Sequence, residues 1–130
     1  RVAATGLVEG NDSDASAGAF EPHYAEITRS DQVQVYESVM GNRGGMPTTG
    51  LLDATQYLKD NRLLPAGFDQ GTASADIRSV GEAERDPDFT GGGDRVRYRV
   101  PVQGSGPLTV TVELLFHADQ VLVDERREGV

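Results

Sequence analysis

Nine consecutive residues, Asp86-Pro87-Asp88-Phe89-Thr90-Gly91-Gly92-Gly93-Asp94, gather three carboxylates around a run of glycines. Asp86, Asp88 and Asp94 are the donor type a hard cation takes, and calcium collects about six to eight oxygens from such loops. The order differs from an EF-hand, where glycine follows three alternating ligands and a glutamate closes the loop. The same residues also suit a plain turn, Asp86 and Asp88 bonding loop amides while the glycines permit a tight path into a following strand. Asn11, Asp12 and Asp14 form a second, looser acidic cluster. Histidine occurs only at His23 and His117. His23, between Pro22 and Tyr24, offers an imidazole that could ligate iron or zinc from a neighbouring module, or serve as a structural hydrogen-bond partner.

Other reactive arrangements fail on spacing. Glu82/Glu84 and Glu21/Glu26 are close in sequence, which is not the through-space separation a glycosidase pair needs. No G-x-S-x-G turn presents a serine nucleophile, and Gly91-Gly92-Gly93 lacks the Lys-Ser/Thr of a phosphate-binding loop. Cysteine is absent, so thiol chemistry, disulfides and C-x-x-C-H haem attachment are excluded within the chain.

The elements that must position these residues read mostly as strands. Gln32-Val33-Gln34-Val35-Tyr36-Glu37 alternates with period two, Val33 and Val35 on one face and Gln34 and Tyr36 on the other. Across Leu51 to Asn61, the residues Leu51, Leu52, Ala54, Tyr57 and Leu58 make a helical stripe, so a short helix near 51–59 or an irregular strand is expected before Pro65-Ala66-Gly67 stops it. Ile77 to Val80 reads as a short strand. The clearest pattern comes last: Val96, Tyr98, Val100 and Val102 alternate with Arg95, Arg97 and Arg99, and Leu108 to Leu114 repeats the alternation after Gln103-Gly104-Ser105-Gly106-Pro107. A hairpin pairing 95–102 with 108–115 is predicted, its arginines opposite Thr109, Thr111 and Glu113. Val121 to Val123 is a candidate final strand. The reading is one β-rich domain over 20–123, preceded by a flexible arm or opening loop at 1–19 and followed by a charged tail at 124–130. An all-β antiparallel sandwich or jelly roll is the expected class, with room for one short helix.

The 130 residues suit a single domain, and a net charge of −9 makes nucleic acid and anionic membrane surfaces unfavourable partners. No apolar run is long enough to insert in a bilayer. The stretch Tyr57-Leu58-Lys59-Asp60-Asn61-Arg62-Leu63-Leu64-Pro65-Ala66-Gly67-Phe68 packs turn and polar residues between apolar anchors. Its Arg62 can bond a carboxylate through two N–H groups.

Several segments, in this order, resemble a β-rich domain found in periplasmic multiheme c-type cytochrome-like proteins. They are Gly10-Asn11-Asp12, Glu21-Pro22-His23-Tyr24, Gln32 to Glu37, Tyr57 to Phe68, Asp88 to Asp94 running into Tyr98, and Val112-Glu113-Leu114-Leu115. The likeness spans roughly residues 6–116 and ends at Phe116-His117. It implies an exported, periplasmic setting and a non-catalytic accessory module that positions haem segments or docks a partner, with cytochrome segments of the same or another chain as partners. Haem would then lie only in a parent protein. His23, Tyr24 and Arg62 are the candidate partner or ligand surface, and Asp86, Asp88 and Asp94 the candidate calcium ligands. The alternative is a ligand-binding β-sandwich recognising carbohydrate or calcium at a loop end. The opening strands of that domain have no counterpart here, so an uncovered edge and a homodimer are expected.

Overall fold

A computed structural model describes residues 20–116. The expectations for the arm 1–19, with its Asn11/Asp12/Asp14 cluster, for His117, for the strand 121–123 and for the tail 124–130 lie outside the described residues.

Among the described residues, four short strands and one 3-10 turn make up the regular structure: β1 (Glu26–Ile27), β2 (Ser38–Gly41), β3 (Gln56–Asp60), the 3-10 turn Gly81–Arg85, and β4 (Arg97–Tyr98). They form two two-stranded sheets, β1 with β4 in parallel and β2 with β3 antiparallel. Sheets of two strands do not by themselves make the expected sandwich or jelly roll among the described residues.

β2 and β3 pair Ser38 with Asp60, Val39 with Lys59, Met40 with Tyr57 and Gly41 with Gln56. Leu58 is the extra residue, and the bulge turns its side chain across Gly41. A Cβ added at Gly41 would fall 2.7 Å from Leu58 Cγ, so this strand end tolerates only glycine without rearrangement. The helix expected near 51–59 is replaced by a turn at Leu51–Asp53 leading into β3. Leu51 and Leu52 are 95% and 100% exposed, so their stripe had no surface to bury against.

The alternating segment 32–37 also differs from expectation. It forms no strand and is bonded mostly by side chains: Asn61 Nδ2 and Lys59 Nζ both donate to Val35 O at 2.9 Å, the Glu37 amide donates to Asn61 Oδ1 at 2.9 Å, and one backbone bond runs from Asn61 N–H to Glu37 O at 3.1 Å. Val80, from the expected strand 77–80, makes only a bridge to Asp60, with bonds of 3.0 and 2.9 Å. That bridge fixes the start of the 3-10 turn against β3.

The predicted hairpin is not formed. β4 pairs instead with β1, the Arg97 amide donating to Ala25 O at 3.0 Å and the Arg99 amide to Ile27 O at 2.8 Å. Arg99 Nη2 meets Glu26 Oε2 at 2.9 Å and Arg97 lies 3.8 Å from the same oxygen, so these two arginines answer Glu26 and not residues of 108–115. In a ladder the donors on one edge come from alternate residues. The next one toward β1 would be residue 101, which is a proline without an N–H, and the pairing stops there. Beyond Tyr98, residues 99–116 join no strand among the described residues, and their apolar side chains face water. An isolated two-stranded hairpin is marginal in water, and no described element covers this one's apolar face.

The core is unusual for so small a fold. Among the described residues its buried apolar side chains are Ile27, Ala83 and Phe89, against six buried polar or charged residues: Glu21, His23, Lys59, Asp60, Asn61 and Ser79. Directional bonds therefore do much of what apolar packing does elsewhere.

Candidate functional site

His23 sits at the centre of the polar core, 5% exposed, where five chain segments converge. The strand β1 begins just after it. The segment 32–37 brings Gln34 and Tyr36, and the end of β3 brings Asn61. Asp86 follows directly on the 3-10 turn as its C-terminal cap. Asp94 closes the glycine loop.

That loop is shaped by the turn after β3. Gly92 donates to Leu64 O at 2.9 Å, while Thr90 and Gly93 exchange backbone bonds of 3.0 and 3.1 Å. Gly91 lies flat against the other turn: a Cβ there would be 2.5 Å from Phe68 O and 2.7 Å from Phe68 N. Gly92 has φ 94°, which disfavours any other residue. The glycines thus seat 90–93 on Leu64–Phe68, which turns Asp86, Phe89 and Asp94 toward His23.

Around the imidazole every polar group has a defined direction. Asp86 Oδ2 lies 3.1 Å from His23 Nε2. Gln34 Nε2 lies 2.9 Å and Asn61 Nδ2 3.1 Å from His23 Nδ1. The amides are oriented by backbone groups that cannot reverse role. Tyr24 N–H donates to Gln34 Oε1 at 2.8 Å, and Glu37 N–H donates to Asn61 Oδ1. Both NH2 groups must then point at Nδ1, which can only accept, and the ring proton is assigned to Nε2, donating to Asp86. The second Asn61 proton goes to Val35 O, and the second Gln34 proton reaches Asp94 Oδ2 at 3.4 Å. Tyr36 completes the circuit, its hydroxyl donating to Asp94 Oδ2 at 2.6 Å. Phe89 closes the apolar side, edge-on to His23 at 4.9 Å and stacked with Tyr36 at 6.5 Å.

Electrostatics follow from this enclosure. Burial, reinforced by the bond to Asp94, pushes the Tyr36 hydroxyl well above its ordinary ionisation range. Tyr24 is pushed up to about 12, first by burial and then by its 2.6 Å bond to Glu21. Burial lowers Lys59 below the usual lysine value, and Glu37 at 2.9 Å opposes that shift.

The carboxylates expected to bind calcium divide. Asp86 and Asp94 come together, and with His23 their ligand atoms lie within 4.8 Å of one another. Asp88 stands apart, 3.7 Å from Arg95. Asp86 Oδ1 instead accepts the Asp88 amide at 2.8 Å, and Asp94 Oδ1 the Arg95 amide at 2.7 Å. The donor chemistry fits a metal poorly. A cation on Nε2 requires the ring proton on Nδ1, where two amide donors already point. The same geometry argues against a general base, because neither ring nitrogen has a lone pair free for a substrate proton.

Tyr24 lies beside His23 and bonds Glu21, whereas Arg62 belongs to a separate cluster. It grips Asp60 through two bonds of 2.9 and 2.5 Å and lies 5.9 Å over the Tyr57 ring. Gln34, Tyr36, Asn61 and Phe89 were missed from the sequence as site residues. The shared parity of Gln34 and Tyr36, opposite two valines, was the available signal. Compared with known proteins, the chain matches no family model, no curated protein and no solved structure.

Proposed function

We propose that this chain is a non-catalytic β-rich accessory module of an exported, periplasmic multiheme cytochrome-like electron-transfer protein, and that it docks a protein partner. Its assembled form would be a β-sandwich or jelly roll, with haem carried by the parent protein. The observation that carries the reading is the contrast between two regions of the molecule. At the His23 network, groups of catalytic type are enclosed and bonded to one another. Along 99–116, an alternating apolar segment lies open, Val110, Val112 and Leu114 each being 81–84% exposed. Open apolar edges of that kind mark interaction surfaces.

The cytochrome setting rests on the sequence resemblance and is tested on the parent protein. Purified from a host that matures c-type cytochromes, the parent should carry covalent haem attached outside residues 1–130. A parent without haem overturns the setting. Hydrolytic turnover by the chain itself overturns the non-catalytic reading.

A further inference from the structure

We propose that the segment Val96–Leu114 is an exchange arm, and that its occupant is the same segment of a second copy of this chain. The inference rests on the docking reading above and names the partner.

Three observations converge. The first is the distribution of backbone donors. β4 spends the odd-numbered amides of Arg97 and Arg99 on β1. Pro101 and Pro107 both fall on that odd edge, which therefore cannot carry a longer ladder. Continued as a strand, the segment presents its even-numbered edge from Val96 to Leu114 without a proline. One edge is blocked and the other is complete.

The second observation is self-complementarity. Antiparallel pairing about a twofold axis at Ser105 sets Val100 opposite Val110 of the second copy, Tyr98 opposite Val112 and Arg97 opposite Glu113. Every even residue meets an even residue, so the apolar faces coincide. These are the pairs a closed hairpin would make, yet the two halves share no ladder in the structure, and the chain only bends at Gly104–Gly106. Complementary halves joined by a glycine-rich hinge are the ingredients of strand exchange.

The third observation is charge and area. Residues 95–116 hold three arginines and one glutamate, +2, on a chain of net −9, so the remainder carries −11. In the twofold register the only charges placed directly opposite one another, Arg97 and Glu113, are of opposite sign, so the excess of the arm is not set against itself. From Tyr98 to Phe116, nine apolar side chains are more than half exposed. Together they amount to on the order of 1,000 Å² spread along the segment, near the contribution of one partner to a standard interface.

Because the chain has no cysteine, disulfide trapping tests the register cleanly. Opposed strand residues place their Cα atoms about 5.5 Å apart, within disulfide reach. Mixing Val100→Cys chains with Val110→Cys chains should yield predominantly the mixed covalent dimer, and the unmodified chain should sediment as a dimer. A Val100→Cys/Thr111→Cys mixture, one residue out of register, should cross-link at least tenfold less. If a doubly substituted Val100→Cys/Val110→Cys chain instead closes an internal bridge as a monomer, the hairpin is intramolecular and the proposal fails. A monomer with no bridge also overturns it. Hydrogen exchange then separates the causes. Fast exchange over 100–114 in the monomer leaves the arm free to dock another protein, whereas protection there ends the docking reading too.

Discussion

Replacing Asn61 by aspartate changes no heavy-atom shape but reverses the role of one group. Oδ1 keeps its bond to the Glu37 amide, while the NH2 that served Val35 O and His23 Nδ1 becomes a second carboxylate oxygen. Two donor contacts become acceptor-against-acceptor contacts at a residue with 0% exposure. Val35 O retains Lys59 Nζ and His23 Nδ1 retains Gln34, so neither acceptor is orphaned. The cost is then two lost bonds plus an uncompensated buried charge, about 3–5 kcal/mol in all. Against a total stability of about 5–15 kcal/mol this is a large fraction. With a urea slope of about 1.5 kcal/mol/M, the unfolding midpoint should fall by about 2–3 M. The chain has no tryptophan and four tyrosines, so far-ultraviolet circular dichroism and tyrosine fluorescence are suitable readouts. Nitrogen chemical shifts of His23 in the parent chain should report the Nε2–H tautomer. A midpoint unchanged within error, or an Nδ1–H tautomer, would refute the donor assignment around the ring.

Other perturbations test separate parts of the fold. Gly91→Ala drives a methyl into the Phe68 backbone and should cost about 2–4 kcal/mol by thermal or urea unfolding, whereas Gly93→Ala, which meets nothing within 4 Å, should stay within about 1 kcal/mol. Stability should fall as pH rises above about 10, the unperturbed tyrosine range. The unfolded chain releases tyrosine protons there first, while Tyr24 holds its proton to about 12 and Tyr36 is also raised. A Tyr24→Phe/Tyr36→Phe chain should show a flatter alkaline limb, and an unchanged limb would assign the loss to other groups. Millimolar calcium or zinc should leave the melting temperature unchanged. A rise that Asp86→Asn or Asp94→Asn abolishes would restore the metal reading.

What the sequence made legible was local. Of the alternating run Val96–Leu114 only Arg97–Tyr98 became a strand, β4, while turn chemistry placed the Asp86–Asp94 loop. Which strand would receive β4 was invisible, because the choice of Glu26–Ile27 depends on a parallel pairing across about seventy residues of chain. The stripe from Leu51 to Tyr57 misled for the opposite reason: it is a genuine local pattern with no partner surface. At the site, the acidic loop and His23 could be named from residue type. Their meeting could not, since it hangs on Gly91 lying against Phe68 and on two amides oriented by distant backbone groups. The role of Asn61 had no sequence signal beyond its place in a dense polar stretch.

Lys59, the one lysine of the chain, is 2% exposed and tied to Val35 O and Glu37. The folded surface over the described residues therefore offers no side-chain amine. Enzymes that acetylate or conjugate lysine would find no target there, and amine-directed reagents would find no lysine to mark on it. Chemical labelling becomes a clock instead. Lys59 can react only when β3 separates from the 32–37 segment, so its modification rate under native conditions measures how often that part of the core opens. Labelling as fast as that of a free lysine would mean the enclosure is not kept in solution.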